Sequence, residues 1–432
     1  MTLALVGFAL VLLLAFYGVP LGFSMLTLGV SLFAVSRGLG PAFSMMGQTI
    51  ADLAANDSLS VLPMFILMGT FIYKADMAEE LYDAANAFLG HFKGGLAYAT
   101  VMASAGFAAI SGSSIATAAT MTKVAIPPMR ARGYSDSMAS GCVCSAGTLG
   151  ALLPPSVPLL VYGIIATQDI GKLFMAGLVP GALLGLTFMG AIWWTVFRHP
   201  ERGPAGERTA WPERLRRLSK VWGVLALFLI VIGGLYGGLF TATQAGSIGA
   251  LGALVFALAR RKLSLRIAFD ALTEAARTTA MIFTIIFGGK VFANLVTVSG
   301  LAGRLVTEIQ ALHLPPTGVI LVIVLIYVVL GSLMDGLSMM LLTVPVFATI
   351  VQPLGIDMVW FGIFVVMMME IGLIHPPVGM NMFMVKSVMP ELSLRTILIG
   401  TIPFLVANIF ALALLITFPS IALSLGHLLG SH

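Results

Sequence analysis

Long apolar runs, cut by short clusters of glycine, proline and serine, set the pattern of this chain. Runs such as 221–239 and 317–330 lack the strict alternation of barrel strands, so they predict helices. The only clearly hydrophilic connection is 198–220, with Pro200, Pro204 and Pro212, and it divides the chain near its middle. Two apolar spans follow at 221–239 and 242–259, separated by the glycine-rich turn 233–238. Further spans are expected near 173–197 and 276–293, and amphipathic stretches at 78–92 and 301–312 read as interfacial helices. The apolar stretch 3–15 has no basic residues before it and another apolar run directly after it, so it is expected to be a first membrane helix and not a signal peptide.

The two halves share a punctuation. Gly150-Ala151-Leu152-Leu153-Pro154-Pro155 recurs as Gly372-Leu373-Ile374-His375-Pro376-Pro377, and Gly133 and Gly355 stand at the same distance upstream. Before each lies a polar interruption between two short apolar runs: Ile110-Ser111-Gly112-Ser113-Ser114 in the first half, and Gly331-Ser332-Leu333-Met334-Asp335-Gly336 in the second. Each run is near or below the roughly 20 residues a spanning helix needs, so each pair predicts a re-entrant hairpin with a polar tip inside the membrane. The expected layout has scaffold helices in 1–57, then a first repeat over 58–197 with a hairpin at 94–129 and a broken helix at 137–167. A basic loop at 198–220 and a scaffold pair at 221–262 follow. A second repeat over 263–392 carries a hairpin at 316–352 and a broken helix at 358–389, and a C-terminal helix covers 393–432.

Composition fixes the solvent. Of 432 residues, 59% are hydrophobic and 9% charged, with a mean hydropathy of +1.03. A soluble domain carries about a quarter charged residues, so too few are present here to cover a water-facing surface. The membrane takes that place, and backbone groups in lipid must be satisfied within helices. The net charge is +5, and nearly half of the 23 lysines and arginines lie in 198–220 and 260–266. Short basic loops beside apolar spans mark the cytoplasmic face and do not indicate nucleic acid. Counting crossings from these loops makes the second broken helix run opposite to the first. The fold class is therefore an all-α polytopic membrane protein with two inverted-topology repeats, each holding a re-entrant hairpin and a broken helix.

Such broken helices mark ion or substrate sites in secondary transporters. A Pro-Pro pair frees backbone carbonyls, which cost several kcal/mol each in lipid unless something binds them. A hard cation such as sodium takes oxygen ligands, and the tips add oxygens from Ser111, Ser113, Ser114, Ser332, Asp335 and Ser338. Asp335 stands among apolar neighbours and is a functional candidate by default; a protonated structural role and an N-cap role also fit. Lys290 is expected to snorkel rather than meet an anionic substrate. Glu370 either faces the core or pairs locally. His375 is expected to pack or hydrogen-bond, and Met367-Met368-Met369 to pack. Cys142 and Cys144, two apart on a helix, are expected to pack without a disulfide or metal. An intramembrane aspartyl protease would need a second carboxylate beside Asp335, and a channel would need a repeated filter sequence.

These motifs resemble a known family. The stretches PMFILMGTFIYKADMAEELYDAANAFLGHFKGGLAYATVMASAGFAAISGSSIATAATM, RGYSDSMASGCVCSAGTLGALLPPSVPLLVYG and LFMAGLVPG look like the first half of the large membrane subunit of TRAP (tripartite ATP-independent periplasmic) transporters. GSLMDGLSMMLLTVPVFATIVQPLGIDMVWFGI and EIGLIHPPVGMNMF agree with its second half. The resemblance implies an elevator-type, sodium-driven importer of a small organic anion in the bacterial inner membrane. Its partners would be a small four-helix membrane subunit and a periplasmic substrate-binding protein, with no cofactor beyond coupling sodium ions. It places one sodium site at Ser111, Gly112, Ser113 and Ser114 with Pro154, Pro155 and Ser156. The second falls at Gly331, Ser332, Met334 and Asp335 with Pro376, Pro377 and Gly379. Ser114 and Asn381 are the implied substrate contacts. Two positions depart from the family pattern: Gln244 where glutamate is usual and His375 where threonine is common. A stand-alone sodium-coupled carboxylate symporter of similar architecture is the alternative reading.

Overall fold

A computed structural model describes residues 2–75, 77–311 and 314–429, all in helices, turns and loops, with no strand among the described residues. The first helices are α1 (Thr2–Phe16), α2 (Leu21–Arg37), α3 (Leu39–Ala54) and α4 (Val61–Lys74), with a 61° bend between α3 and α4. Then come α5 (Met77–Leu89), α6 (Gly95–Ser111), α7 (Ser114–Ala131), α8 (Asp136–Ala146), α9 (Val157–Ile165) and α10 (Ile170–Arg198). The middle holds α11 (Trp211–Leu218), α12 (Trp222–Tyr236), α13 (Ala242–Ala259) and α14 (Leu265–Val298). The second half continues with α15 (Leu301–Ala311), α16 (Pro316–Gly331), α17 (Gly336–Val351), α18 (Met358–Ile374) and α19 (Met380–Val388). It closes on α20 (Leu394–Thr417) and α21 (Ser420–Leu429).

Local chemistry explains these boundaries. Ser135, Ser156, Asp169, Ser264, Asp357 and Ser393 each accept a hydrogen bond from a backbone N–H in the first turn of the helix they precede. Gln244 forms a reciprocal capping box with Thr241: its Oε1 accepts from the Thr241 N–H at 3.0 Å, while its own N–H donates to Thr241 Oγ1 at 3.3 Å. Glutamine does this as well as glutamate, so the departure at 244 keeps the local fold. α18 is apolar on every face except at Glu370 and is buried from Trp360 to Ile374, as a helix at the centre of the packing should be.

Three details differ from the expected layout. The C-terminal stretch is two helices, because Pro419 has no N–H to continue α20. The basic loop contains α11, opened by Pro212 in its first turn, and its Arg214 is buried with Nε donating to Thr209 O at 3.0 Å. The stretch expected to end at 312 is α15, and Leu312 lies outside the described residues.

By length and apolarity, five helical segments among the described residues suffice to cross a membrane: α10, α13, α14, α20, and α17 with its following turn as Gly336–Leu354. The bent pairs α3–α4 and α11–α12 raise this to seven. α6 and α16, at 17 and 16 residues, are shorter.

The two broken elements, α8–α9 and α18–α19, lie antiparallel. At one end Arg130, closing α7, binds Asp136 at the start of α8 and Glu391 just past α19, through contacts of 2.6 and 2.9 Å. At the other end the Tyr162 hydroxyl on α9 donates to Met358 O at the start of α18, at 2.6 Å. Between them, Asn381 Nδ2 on α19 donates to Cys144 O on α8 at 3.1 Å. The central basic loop packs on the base of the α6–α7 pair, where Gly94 N–H donates to Gly203 O at 2.9 Å and Gly206 N–H to Gly90 O at 3.0 Å.

The Arg130 clamp has a pH signature. Its own backbone N–H and the Arg130 guanidinium hold the Glu391 carboxyl below the ordinary carboxylate range. A lowered pKa means the clamp's stabilisation is complete above the unfolded carboxylate value and is lost as pH falls through the folded one. Thermal melts of the wild type and Glu391→Gln should therefore differ at neutral pH and converge on acidification; a difference that persists in acid would contradict this.

Candidate functional site

The first polar tip is built by a glycine and two serines. α6 stops at Gly112, whose φ of +60° suits glycine, and a Cβ there would meet Pro155 O at 3.1 Å. The tip is thus seated directly on the Pro154–Pro155 break of the same half. Ser113 caps α7 by accepting from Ala116 N–H at 3.3 Å, and Ser111 Oγ pairs with Thr117 Oγ1 at 3.1 Å. Ser156 follows the break; its hydroxyl donates to Ala151 O and accepts from Leu159 N–H at 3.2 Å, capping α9.

The second tip uses a carboxylate for the same task. Asp335 Oδ2 accepts from Ser338 N–H at 2.9 Å and starts α17. Gly331 backs onto Gly372 of α18, so close that a Cβ at Gly331 would lie 3.0 Å from the Gly372 Cα. Ser332 Oγ donates to Val328 O at 2.9 Å and lies 3.4 Å from His375 Nδ1, which puts His375 in a hydrogen-bonded position beside Pro376 and Pro377. Met334 is buried, and Gly379 opens α19 with φ of +51°.

Both tips face one cavity of about 620 Å³. Ser111, Gly112, Ser113 and Ser114 line one wall, and Asp335 and Gly336 another; α4 and α14 close the remaining side with Thr70, Tyr73, Glu274 and Thr278. The other site residues inferred from the sequence stand behind this surface: Pro154, Pro155, Ser156, Gly331, Ser332, Met334, Pro376, Pro377 and Gly379 do not line it. Nor does Asn381, which is wholly buried against Cys144 O. Cys142 and Cys144 are buried and free, and Lys290 does not reach the cavity. No lysine or arginine lines it, and among the described residues no three His, Cys, Asp or Glu side chains are grouped to hold a metal. The hydroxyl residues Ser111, Ser113, Ser114, Thr70 and Thr278 with the acids Asp335 and Glu274 make an oxygen-rich lining, which matches hard cations.

Two contacts were missed by the sequence reading. Glu370 of α18 is wholly buried, and its Oε1 accepts from Ser114 Oγ at 2.8 Å, joining the second half to the first tip. Its sequence signal was visible as a lone acid within an apolar helix, but nothing local named a partner 256 positions away. Glu274 carried no signal at all. It lines the cavity and pairs with Lys74 of α4 at 3.0 Å.

Two halves of short helices and Pro-Pro breaks around the cavity define an all-α polytopic membrane fold. The Alcanivorax borkumensis YdaH transporter shares that fold, with a TM-score of 0.62 at 14% identity over 90% of both chains. Residues 8–421 match the tripartite ATP-independent periplasmic transporter, DctM component, and the chain belongs to this family. It is 37% identical over 375 residues to the C4-dicarboxylate TRAP transporter large permease protein DctM of Pseudomonas aeruginosa, covering 86% of this chain and 87% of that one. To the sialic acid TRAP transporter large permease protein SiaM of Vibrio cholerae it is 31% identical over 420 residues, covering 96% of each. The chain is thus a large permease subunit of a TRAP transporter.

Proposed function

We propose that this subunit drives sodium-coupled uptake of a small organic acid across the bacterial inner membrane. A small four-helix membrane subunit and a periplasmic binding protein complete the system. The observation that carries this reading is the cavity between the two tips. The N-termini of α7 and α17 both open onto it, and helix N-termini favour negative charge. With no basic side chain in its lining, the cavity leaves an anion's charge to those dipoles and to bound cations. Asp335 and the freed oxygens of the breaks would hold sodium, and sodium would order the tips. Both relatives are named for acids, which supports a carboxylate as the shared chemistry.

The distribution of polar bonds supports an elevator motion. Ser114–Glu370, Cys144–Asn381, Met358–Tyr162 and Arg130–Glu391 tie the two halves to each other. Lys74–Glu274 joins α4 to α14, and the Asn294 to Thr49 bond joins α14 to α3. Among the described residues, no side-chain hydrogen bond or ion pair joins α4 or α14 to α6–α9 or α16–α19. A seam without such bonds lets one body slide against another without breaking polar contacts. The antiparallel broken elements, and the basic loop at the base of α6–α7, support inverted repeats with the first hairpin entering from the cytoplasm.

Proteoliposomes carrying both membrane subunits, supplied with the loaded binding protein, test this directly. Uptake should follow an inward sodium gradient and stop without it; uptake that persists at equal sodium would overturn the coupling. Uptake without the binding protein would favour the stand-alone symporter.

A further inference from the structure

We infer that Glu370 is a positioning residue for Ser114, and that their bond commits the Ser114 hydroxyl to a coupling cation and away from the substrate carboxylate. The inference rests on the sodium reading above and sharpens it, because Ser114 stands as a candidate for both ligands.

A serine hydroxyl has one proton to give and two lone pairs. Ser114 Oγ gives its proton to Glu370 Oε1 at 2.8 Å. Ser114 also lines the cavity, so what it presents there is lone pairs alone. A carboxylate consists of acceptors and needs a donor, which the Ser114 hydroxyl no longer offers. A hard cation needs oxygen lone pairs, which Ser114 retains. Ser113, one residue earlier, has the opposite balance. Its Oγ accepts from Ala116 N–H at 3.3 Å, and among the described residues its own proton goes to no partner. Adjacent serines thereby divide the work, with Ser113 free to donate to an anion and Ser114 turned toward a cation.

The position of Glu370 explains why a carboxyl stands there. α18 is otherwise apolar and buried along this stretch, and its neighbours Met369 and Leu373 line the cavity. An apolar residue at 370 would pack equally well but would leave Ser114 without an acceptor. Glu370 Oε2 has no partner, so the single bond from Ser114 is the side chain's only one among the described residues. Because Glu370 belongs to the second half, cation binding at the first tip is also registered on α18.

The test uses the full chain purified in detergent, titrated with sodium against potassium at constant ionic strength and followed by its melting midpoint. The wild type should show a sodium-specific rise. Ser114→Ala and Glu370→Met should move the midpoint of the sodium titration upward by about tenfold, the scale of one lost hydrogen bond. Ser114→Thr, which keeps the hydroxyl, and Glu370→Gln, whose amide oxygen still accepts, should stay within about threefold. Wild-type titration by Ser114→Ala would overturn the inference, and that variant decides alone if Glu370→Met does not fold. Equal losses in Glu370→Gln and Glu370→Met would mean that charge matters and not the acceptor, which also overturns it. A wild type indifferent to sodium would instead defeat the sodium reading on which the inference stands.

Discussion

Asp335→Asn is expected to fold normally and to lose sodium-driven uptake by about 100-fold. The two halves of this result separate because Asp335 has two jobs. Its Oδ2 caps α17 by accepting from Ser338 N–H at 2.9 Å, and asparagine caps a helix about as well as aspartate. The tip should therefore keep its shape. What disappears is the negative charge, which lies on the cavity wall beside apolar Leu337 and Met369. Removing a unit charge a few ångströms from a bound cation at an interior site costs about 3 kcal/mol or more, equivalent to roughly two decades in affinity. Asp335→Ala should in addition lower the melting midpoint, since it removes the cap. Sodium titrations of uptake in proteoliposomes, with melts of both variants, check the pair. Unchanged sodium dependence in Asp335→Asn would remove this residue from the cation site.

How much of this was legible beforehand follows from the range of each interaction. The tips were readable because their signals are local: glycine with two serines stops one helix and caps the next within four residues. The same holds for the Pro-Pro breaks. Asp335 was visible as an acid among apolar neighbours, and its cap was one of the readings its sequence context allowed. The bonds that assemble the site were not legible. Ser114 to Glu370, Arg130 to Glu391 and Asn381 to Cys144 each span more than 200 positions. A single sequence records the residues and not the pairing. Asn381 is one case: at this motif position, implied as a substrate contact, Nδ2 donates to Cys144 O while the buried Oδ1 has no partner among the described residues. Glu274 shows the complement: an acid more than two turns into a long helix carries no local mark of its role until α4 and α14 bring it to the cavity wall. The departures at Gln244 and His375 likewise became readable only as contacts, a capping box for one and a neighbouring serine hydroxyl for the other.

Gly400→Ala is expected to be among the most damaging single-methyl changes at the described glycines, because the nearest obstruction is backbone. α8 and α20 cross with their backbones in contact, so a Cβ at Gly400 would fall 1.8 Å from Ser137 O. The clash is reciprocal, because a Cβ at Gly141 would fall 2.1 Å from the carbonyl of Gly400. The obstructing atoms are backbone on both sides, so no rotamer change relieves the overlap, and the two helices must separate. Overpacking a tight interior typically costs about 1–3 kcal/mol and more where the backbone has to move, so about 3 kcal/mol or more is expected here. The displacement would also reach the site. α8 carries Cys144, whose carbonyl holds Asn381 of α19, and the seat of the first tip lies beyond it at the Pro154–Pro155 break. Gly190→Ala in α10 is the matched control, since nothing stands within 4 Å of a Cβ there. It should melt at or slightly above the wild type, because alanine favours a helix interior over glycine by about 1 kcal/mol. Melting curves of the three purified proteins in one detergent decide the matter. A Gly400→Ala protein as stable as Gly190→Ala would show that α8 and α20 do not cross at these glycines.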